Sequence, residues 1–553
     1  DSTYTAYRGD ANRTAYDLFI VALQGYWNGN RVGDVTIETG SNTTDKDEGM
    51  VKIRTRGDGD AGPQDRLTAY HTGQVQVHST TDSSSTTSGA LRVDGGVGVA
   101  KNIICGGEIA TAQDYPNIRP TLDFNFAVEK KLDPRFAYSR TGPASFVNDL
   151  GKVVIIGPDV PRFDHDPITR ECKGLLIEQN RTNLFSGTAN MAATGSRWSI
   201  GGSRGFEGAN IEGPDGTLTS FQVVYNGTSG DLGVAYSPIG GSSELTTSND
   251  TIYTYSVWAK LSAGASYLTG CRLRTYSQNI SVNYNLVNGL VLGDGTTATN
   301  AYENQGSDFI SSSIEEYPNG WYRCIMTFRS GTDGNQGFQL YLISGVNNHA
   351  LNSSSANGES VSFWGAQLEE GSFATSFIPT GINQESVTRG VESVTLQGTD
   401  FSDFYNQNEG TIVLSASFNA DVNRTSAIVT IDDISNTSEY IEVGYRAGGG
   451  PTGNVASYVR TDSGGDQYFK QYGSSATAGA EFKVAFGYKD NDYASSVNGA
   501  TVDTDTSGTT SKVLDRLSLS YVDTVNPKGS GYYRRLMYYP HRLPNNQLLT
   551  LTS

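Results

Sequence analysis

Residues 251–261, TIYTYSVWAKL, and residues 320–330, GWYRCIMTFRS, are the stretches that decide the fold of this chain. Each is rich in β-branched and aromatic residues, which favour strands. Similar runs, separated by Gly, Asn, Ser and Asp turns, recur at 219–226, 267–276, 280–286, 338–344 and 360–369. This pattern predicts an antiparallel jelly-roll sandwich of about eight strands over residues 186–382.

A second set of strand-like runs fills the C-terminal part of the chain. The clearest are TIVLSASF (411–418), EYIEVGYR (439–446), VASYVRT (455–461) and FKVAFGYK (482–489). Their lengths and turn signals match those of the first set, so we expect another antiparallel β-sandwich over residues 383–553. With 553 residues, the chain is long enough for several separate cores.

The N-terminal part of the chain differs from both sandwiches. Tyr16, Phe19, Ile20 and Leu23 follow a helical spacing, which predicts a short helix over 10–26 inside an N-terminal attachment segment, 1–30. Residues 31–112 contain short alternating strands with few large apolar side chains. Three copies wound around one axis could bury those side chains, whereas one copy could not. We therefore predict an all-β protein with a trimeric, β-rich shaft at 31–112 and a connector at 113–185.

Charge and hydropathy exclude several classes of partner. The formal net charge is −18, so the chain repels the phosphates of nucleic acids and of anionic membranes. The apolar run Val153-Val154-Ile155-Ile156 is far shorter than the roughly 20 residues that span a bilayer. Residue 1 is Asp and no basic-then-apolar leader follows, so we expect no signal peptide, and the numbering can begin inside a longer gene product.

The four cysteines, Cys105, Cys172, Cys271 and Cys324, show neither disulfide-scaffold nor zinc-ligand spacing. This favours assembly in a reducing cytoplasm. Cys271 and Cys324 lie in strand-like segments of one predicted sandwich, so they either pair or remain buried free thiols, and the compartment favours free thiols.

Signals of catalysis are weak. Gly201-Gly202-Ser203-Arg204-Gly205 fits a G-x-S-x-G pattern, but no strand-to-helix elbow surrounds it. The adjacent carboxylates Glu315-Glu316, Glu369-Glu370 and Asp432-Asp433 point to opposite faces of a strand, so they cannot form a glycosidase pair. His165 lies between two aspartates before Pro167, which indicates a turn. We therefore expect no enzyme activity, no metal site and no cofactor, although a loosely held cation at 58–62 remains open.

Ligand-binding candidates are aromatic and charged residues of the last domain that alternate along their strands and can fall on faces opposite their apolar neighbours: Tyr440, Tyr458, Arg460, Tyr468, Lys470 and Tyr472. Aromatic rings beside hydrogen-bonding groups suit a sugar. The alternative is that these tyrosines cover a sheet or line a trimer contact. Trp258, Trp321 and Trp364 lie in apolar strands and are expected in the core.

The segment STTDSSSTTSGALRVDGGVGVAKNIICGGEI (79–109) resembles a glycine-rich shaft element of tailed-bacteriophage fibre proteins. The glycines that match the pattern are Gly89, Gly95, Gly96, Gly98, Gly106 and Gly107. Glycine permits the positive φ angles and close backbone approach that tight turns around a three-fold axis require.

Three further stretches resemble modules of phage tail-fibre and virion adhesin proteins. Residues 161–185 resemble the linker before carbohydrate-binding-module-like sandwiches, and 363–380 the last strand of such a sandwich. Residues 387–418 resemble the entry to a laminin-G or concanavalin-like sandwich, although Gly390-Val391-Glu392 stands where that family usually has Ala-Ala-Asp.

The resemblance implies a structural virion fibre or spike that assembles in the bacterial host cytoplasm. It implies a homotrimer that joins other virion proteins, of the tail or the head, through its N-terminus and binds host-surface glycans through its distal sandwiches. A spike enzyme that degrades polysaccharide and a purely structural decoration remain the alternatives.

Overall fold

The computed structural model describes residues 8–81, 88–93, 119–191, 197–200, 206–207, 211–226, 230–231, 233–236, 245–275, 280–292, 308–331, 335–345, 350–351, 357–384, 386–419, 425–447, 452–477, 479–519 and 530–553. It divides into two compact units, Asp1–Ile118 and Arg119–Ser553. Within the described residues, no helix is both long enough and apolar enough to cross a membrane.

The first unit contains an antiparallel sheet in which each strand pairs with the next along the chain. Its strands are β1 (Phe19–Trp27), β2 (Asn30–Thr39), β3 (Gly49–Thr55), β4 (Gln64–Tyr70) and β5 (Val75–Val77). The predicted helix over 10–26 is therefore wrong. Asn28 and Gly29 have φ angles of 48° and 76°, as in a two-residue hairpin turn, and this turn pairs β1 with β2.

The two faces of this sheet differ sharply in chemistry. One face is apolar and carries two cross-strand rows, Leu23-Val35-Ile53-Leu67-Val77 and Val21-Ile37-Val51-Ala69-Val75. The other face buries charged side chains: Lys52 lies 3.4 Å from Glu38 and 3.0 Å from Asp65. The β structure predicted for the shaft is confirmed where the structure describes it, and trimer formation stays a prediction.

Gly89 has a φ of 109°, in the region that favours glycine, as predicted for the shaft turns. The other predicted shaft glycines, Gly95, Gly96, Gly98, Gly106 and Gly107, lie outside the described residues.

The second unit begins with short elements: β6 (Leu122–Asn125), α1 (Phe126–Glu129), β7 (Ala137–Ser139), β8 (Ala144–Val147), β9 (Val153–Ile156), β10 (Arg162–His165), β11 (Cys172–Ile177) and β12 (Arg181–Asn183). Strands β8 and β9 form a hairpin. These elements occupy the predicted connector, 113–185, but four of their seven strands, β6, β7, β10 and β11, join the two sheets built by the C-terminal residues.

A sandwich of two six-stranded sheets follows, which we call the inserted sandwich. Its strands are β13 (Trp198–Ile200), β14 (Phe206–Glu207), β15 (Phe221–Val224), β16 (Gly230–Asp231), β17 (Gly233–Tyr236), β18 (Leu245–Thr246), β19 (Ile252–Leu261), β20 (Gly270–Thr275), β21 (Ser281–Asn285), β22 (Leu290–Leu292), β23 (Phe309–Tyr317), β24 (Trp321–Arg329), β25 (Asn335–Gln336), β26 (Phe338–Ile343), β27 (Ala350–Leu351) and β28 (Ser360–Glu370), with a 3₁₀ turn at Pro318–Gly320. The sheet orders are β13-β17-β26-β20-β21-β22 and β14-β15-β28-β19-β24-β23, and the other four strands form two separate pairs, β16 with β27 and β18 with β25.

The C-terminal elements are β29 (Val387–Arg389), β30 (Ser393–Gln397), α2 (Thr399–Ser402), β31 (Glu409–Asn419), β32 (Thr425–Asp433), β33 (Asn436–Ala447), β34 (Thr452–Thr461), β35 (Gly465–Thr477), β36 (Glu481–Lys489), β37 (Tyr493–Val497), β38 (Asp503–Asp505), β39 (Arg516–Leu519), β40 (Ser530–Tyr539) and α3 (Asn545–Thr552). Together with β6, β7, β10 and β11 they form the enclosing sandwich. Its sheets are β10-β11-β40-β31-β36-β37-β38, with β6 also pairing β40, and β35-β34-β33-β32-β39-β30-β7.

Each sandwich has its own apolar core, formed by residues from both of its sheets. The predicted all-β class with two antiparallel sandwiches is confirmed. Cys271 and Cys324 are buried free thiols on facing sheets of the inserted sandwich, and their Sγ atoms lie 3.9 Å apart.

Trp258, Trp321 and Trp364 are all buried, as predicted, but they form a third, smaller core. Val147 and Val153 of the β8–β9 hairpin pack in the same cluster. This third core therefore joins the outer side of an inserted-sandwich sheet to the predicted connector.

Candidate functional site

The six predicted ligand-binding residues lie on opposite faces of one sheet. Tyr440 is paired with Arg460 across β33 and β34, whereas Tyr458 is paired with Phe469 across β34 and β35. Tyr468 is paired with the core residue Val459, so it points to the other side of the sheet. The expectation that all six residues lie on faces opposite their apolar neighbours is corrected accordingly.

Tyr468, Lys470 and Tyr472 lie on the inner face. The ring of Tyr468 stacks between Phe486 and Tyr493, with centroid distances of 5.3 and 5.4 Å. The Tyr472 hydroxyl lies 2.8 Å from Ser495 Oγ, and burial raises the pKa of both tyrosines. These two rings stabilise the core of the enclosing sandwich, as the alternative interpretation held.

Tyr440, Tyr458 and Phe469 lie on three neighbouring strands and form a row of rings on the outer face of the sheet. We call this group the tyrosine face. The ring centroids of Tyr440 and Tyr458 are 5.3 Å apart, and those of Tyr458 and Phe469 are 5.6 Å apart. Phe469 is 51% exposed, a high fraction for a large apolar side chain. Arg460 flanks the rings and pairs with Asp466 at 3.2 Å. Phe469 was not among the predicted residues, because its position opposite Tyr458 depends on strand pairing.

The carboxylates and the histidine considered for catalysis have structural partners. Glu369 is buried, its Oε2 accepts a hydrogen bond from the Thr375 hydroxyl at 2.6 Å, and Glu370 is exposed on the opposite side. His165 ends strand β10 instead of lying in a turn, with Nδ1 3.1 Å from the Val147 carbonyl oxygen. The turn follows it: Asp166 accepts the N–H groups of residues 168 and 169. The G-x-S-x-G run, 201–205, lies outside the described residues.

A cavity of about 490 Å³ lies where the inserted sandwich, the segment predicted as the connector (113–185) and strand β40 meet. We call it the junction pocket. Strands β19, β23 and β24 contribute Trp258, Tyr317 and Arg323, and β40 contributes Tyr532. The loop after β28 supplies the remaining wall through residues 373–377. The pocket is thus assembled from segments far apart in the sequence.

Asp164 lies on the connector side of the junction pocket and is buried. It accepts the N–H of Val147 at 2.5 Å and the hydroxyl of Tyr532 at 2.8 Å. Burial raises the pKa of the Asp164 carboxyl and also raises the pKa of Tyr532. Lys173 lies with Nζ 5.4 Å from the centre of the Tyr532 ring.

Arg323 lines the same pocket and is only 5% exposed. Its Nη2 donates to Ser256 Oγ at 3.1 Å and to the Thr375 carbonyl oxygen at 2.8 Å. The guanidinium carbon lies 4.5 Å from the centre of the Trp258 ring. A charged residue between Trp321 and Cys324 in an apolar strand is a sequence signal for a buried polar site, which we also missed.

A buried ion network borders the junction pocket. Arg162 bonds Glu178 and Glu392, each at 2.7 Å, and Arg389 lies 3.0 Å from Glu178. Arg140 adds a contact of 3.2 Å to Glu392. Ser376 donates its N–H and hydroxyl to Glu178 at 2.8 and 2.6 Å. Three arginines and two glutamates thus meet in an almost fully buried network.

This network connects three stretches that are distant in the sequence, 161–185, 363–380 and 387–418. Arg162 and Glu178 lie in 161–185, Ser376 lies in 363–380, and Arg389 and Glu392 lie in 387–418. Glu392, in the run Gly390-Val391-Glu392, supplies one of the two carboxylates of the network.

Within the described part of the chain, no group of three or more His, Cys, Asp or Glu residues is arranged to hold a metal ion. No protein-family model matches the chain, and no curated protein sequence matches it.

Several solved structures are similar to parts of the chain. The CBM40 of Ruminococcus gnavus IT-sialidase bound to α2,3-sialyllactose is 18% identical over 27% of this chain and 84% of that chain, with a TM-score of 0.23. A mutant of NanB sialidase from Streptococcus pneumoniae is 18% identical over 28% of this chain and 26% of that chain, with a TM-score of 0.23. The receptor-binding domain of botulinum neurotoxin mosaic serotype C/D is 9% identical over 29% of this chain and 39% of that chain, with a TM-score of 0.23. These likenesses are too distant to assign a ligand or a family.

Proposed function

We propose that this chain is a non-enzymatic, homotrimeric fibre of a tailed-phage virion that attaches to host-surface glycans. The tyrosine face is the observation that carries the binding part of this proposal. The resemblance of residues 79–109, 161–185, 363–380 and 387–418 to fibre modules supports the virion part. The N-terminus joins other virion proteins, and the fibre assembles in the host cytoplasm.

The tyrosine face has the chemistry of a shallow sugar-binding surface. The exposed ring of Phe469 and the half-buried ring of Tyr440 offer flat apolar area to the C–H face of a pyranose. Arg460 and Asp466 lie beside the rings and can hydrogen-bond sugar hydroxyls. Such an open surface binds one sugar weakly, so useful attachment relies on several copies acting together.

The exposed apolar face of the N-terminal sheet supports self-association. Five strands spaced about 4.8 Å apart make it roughly 24 Å wide. Leu23 and Val75, in its two rows, are 76% and 60% exposed in the single chain. Further copies of this sheet would remove that surface from water, which favours association.

Binding is tested with the purified full chain and host-envelope polysaccharide, measuring retention of polysaccharide and release of smaller products. We expect retention without product release. Phe469→Ala combined with Tyr440→Ala should weaken retention at least tenfold, because both rings offered to the sugar are removed. Ile434→Ala, an exposed apolar residue at the turn of the same sheet, is the matched control and should bind like the unchanged chain.

Each contrary outcome points to one alternative. Release of shortened polysaccharide would support a degrading spike. Absence of retention by the unchanged chain would support a purely structural decoration. Equal loss in Ile434→Ala and in the double variant would show that the tyrosine face is not the binding surface.

A further inference from the structure

We propose that the junction pocket binds the carboxylate of a sugar-sized acidic ligand through Arg323. This site is separate from the tyrosine face and does not depend on it. The starting observation is a buried guanidinium on a cavity wall. Among the residues that the structure describes, no carboxylate lies within ion-pair distance of Arg323, and its buried Nε has no hydrogen-bond partner.

A buried charge without a counter-charge is costly, because the protein interior solvates it less well than water does. The contacts to Ser256 and Thr375 satisfy one nitrogen of the guanidinium, and the Trp258 ring supplies a cation–π contact. A carboxylate is the natural partner for the remaining donors, the Nε–H and the Nη1 hydrogens, because a hydrogen bond between opposite charges is stronger than one between neutral groups.

The acidic residues of the pocket are mostly engaged elsewhere. Glu178 is paired with Arg162 and Arg389, and Asp166 accepts two backbone N–H groups. Asp164 accepts a backbone N–H and the Tyr532 hydroxyl. Glu315 is directly opposite Arg323 on the neighbouring strand. However, its side chain is exposed, and among the described residues it forms no ion pair with Arg323.

The lining of the pocket carries both signs of charge, with Lys173 and Arg323 beside Asp164, Asp166, Glu178, Glu315 and Glu316. The neighbouring ion network holds three arginines against two glutamates, and Lys173 lines the pocket as a second cation. The overall charge of −18 opposes long-range attraction, so the selectivity must come from these short-range contacts.

Size and walls limit the ligand to a small ring. A cavity of about 490 Å³ accommodates one or two monosaccharide units. Trp258, Tyr317, Phe373 and Tyr532 provide aromatic area beside the charged group. An acidic monosaccharide, in which a carboxylate is attached to a pyranose ring, combines the required charge, size and apolar face.

Glucuronate and glucose make a matched pair of probes, because they differ by the carboxylate at the sixth carbon. Titration calorimetry and thermal melting on the full chain should show binding of glucuronate, with affinity on the order of millimolar, and little or no binding of glucose. Arg323→Gln should weaken glucuronate binding at least tenfold. Glu315→Gln should strengthen it about two- to fivefold, because a nearby negative charge is removed.

If Arg323→Gln fails to fold, Arg323→Lys replaces it in the experiment. This variant keeps the positive charge but loses the planar guanidinium, so it should still weaken glucuronate binding. Ile434→Ala changes an exposed residue outside the junction pocket and should leave glucuronate binding unchanged. Equal affinity for glucose and glucuronate, no binding of glucuronate by the unchanged chain, or undiminished binding by both Arg323 variants would overturn the proposal.

Discussion

Tyr468 and Phe469 are neighbours in the sequence with opposite roles, because successive side chains of a strand point to opposite faces. Tyr468 is stacked inside the enclosing sandwich, and Phe469 is on the outer surface. Sequence alternation predicts that the two differ, but it does not say which of them faces the core.

This pair gives the first prediction. Tyr468→Ala should destabilise the enclosing sandwich by about 3–5 kcal/mol, because it removes a buried aromatic ring and leaves a cavity. Phe469→Ala should change stability by less than about 0.5 kcal/mol, because it removes an exposed ring. Urea unfolding followed by tyrosine fluorescence measures both. Equal costs for the two variants would contradict the assigned faces.

Glu178 gives the second prediction. Burial opposes its ionisation, but the charges of Arg389 and Arg162 outweigh burial and lower the pKa of Glu178 from 4.5 to about 2. A carboxyl whose pKa is lower in the folded state stabilises the fold above its unfolded pKa and loses this effect as pH falls. The melting temperature of the second unit should therefore fall between about pH 4.5 and pH 2.

Glu178→Gln tests the same network at neutral pH. Removing one partner of a buried ion network leaves arginine charge uncompensated, so we expect a loss of about 3–5 kcal/mol and a flatter pH dependence below pH 4.5. Glu212→Gln is the control, because Glu212 is exposed and pairs with Lys152 at the surface, where ion pairs contribute little to stability. Similar losses in both variants would argue against a structural role for the network.

At the scale of elements, the N-terminal sheet is unusual because it buries charge and exposes apolar side chains. Lys52 and Arg54 alternate along β3 with Val51 and Ile53, and the charged pair is the buried one. Residues 8–18 help to cover that side: Asp17 pairs with Lys52, and the Tyr16 hydroxyl contacts the Met50 sulfur. The uncovered side is therefore the side available to other copies of the chain.

The third prediction concerns this exposed face. Ile53→Lys places a charge in the middle of an apolar row, so it should shift the chain from trimer to monomer in sedimentation analysis. Gln76→Lys adds the same charge to β5 of the same sheet, outside both rows, and should leave the assembly unchanged. If the chain without substitutions sediments as a monomer, the proposed self-association is wrong, irrespective of the results for the two variants.

At the scale of the whole molecule, the second unit has two sandwiches, and the residues of the inserted sandwich interrupt the sequence of the enclosing sandwich. Asn183 pairs with Val387, and Arg181 pairs with Arg389, so the chain leaves and re-enters the enclosing sandwich at adjacent points. Strands on both sides of the insertion share a sheet: β11, before it, pairs with β40, near the C-terminus.

This insertion of one sandwich into the sequence of the other gives the fourth prediction. Deleting residues 395–553 removes β40, the pairing partner of β6 and β11, and most of β30, the partner of β7, so residues 119–177 should become sensitive to proteases. The inserted sandwich has its own core and should stay resistant. Limited proteolysis with mass spectrometry distinguishes the two segments. Protection of residues 119–177 in the shortened chain would show that they fold without their C-terminal partners.

The sequence by itself determined the secondary-structure class and the two sandwiches. Alternation and turn residues are local signals, and they identify strands such as 251–261 and 321–329 without knowledge of their neighbours. The same local information placed Trp258, Trp321 and Trp364 in a core, because large rings in apolar strands are seldom exposed.

Only the tertiary structure decided which strands share a sheet and which strand face is covered. The helical spacing of Tyr16, Phe19, Ile20 and Leu23 was overridden by pairing of β1 with β2, a contact between strands that periodicity within one segment cannot reveal. Likewise, Arg323 and Tyr532 are more than 200 positions apart, so the pocket they line exists only after the chain returns at β40. Local patterns specify elements, whereas long-range pairing specifies the surfaces and cavities that can bind a ligand.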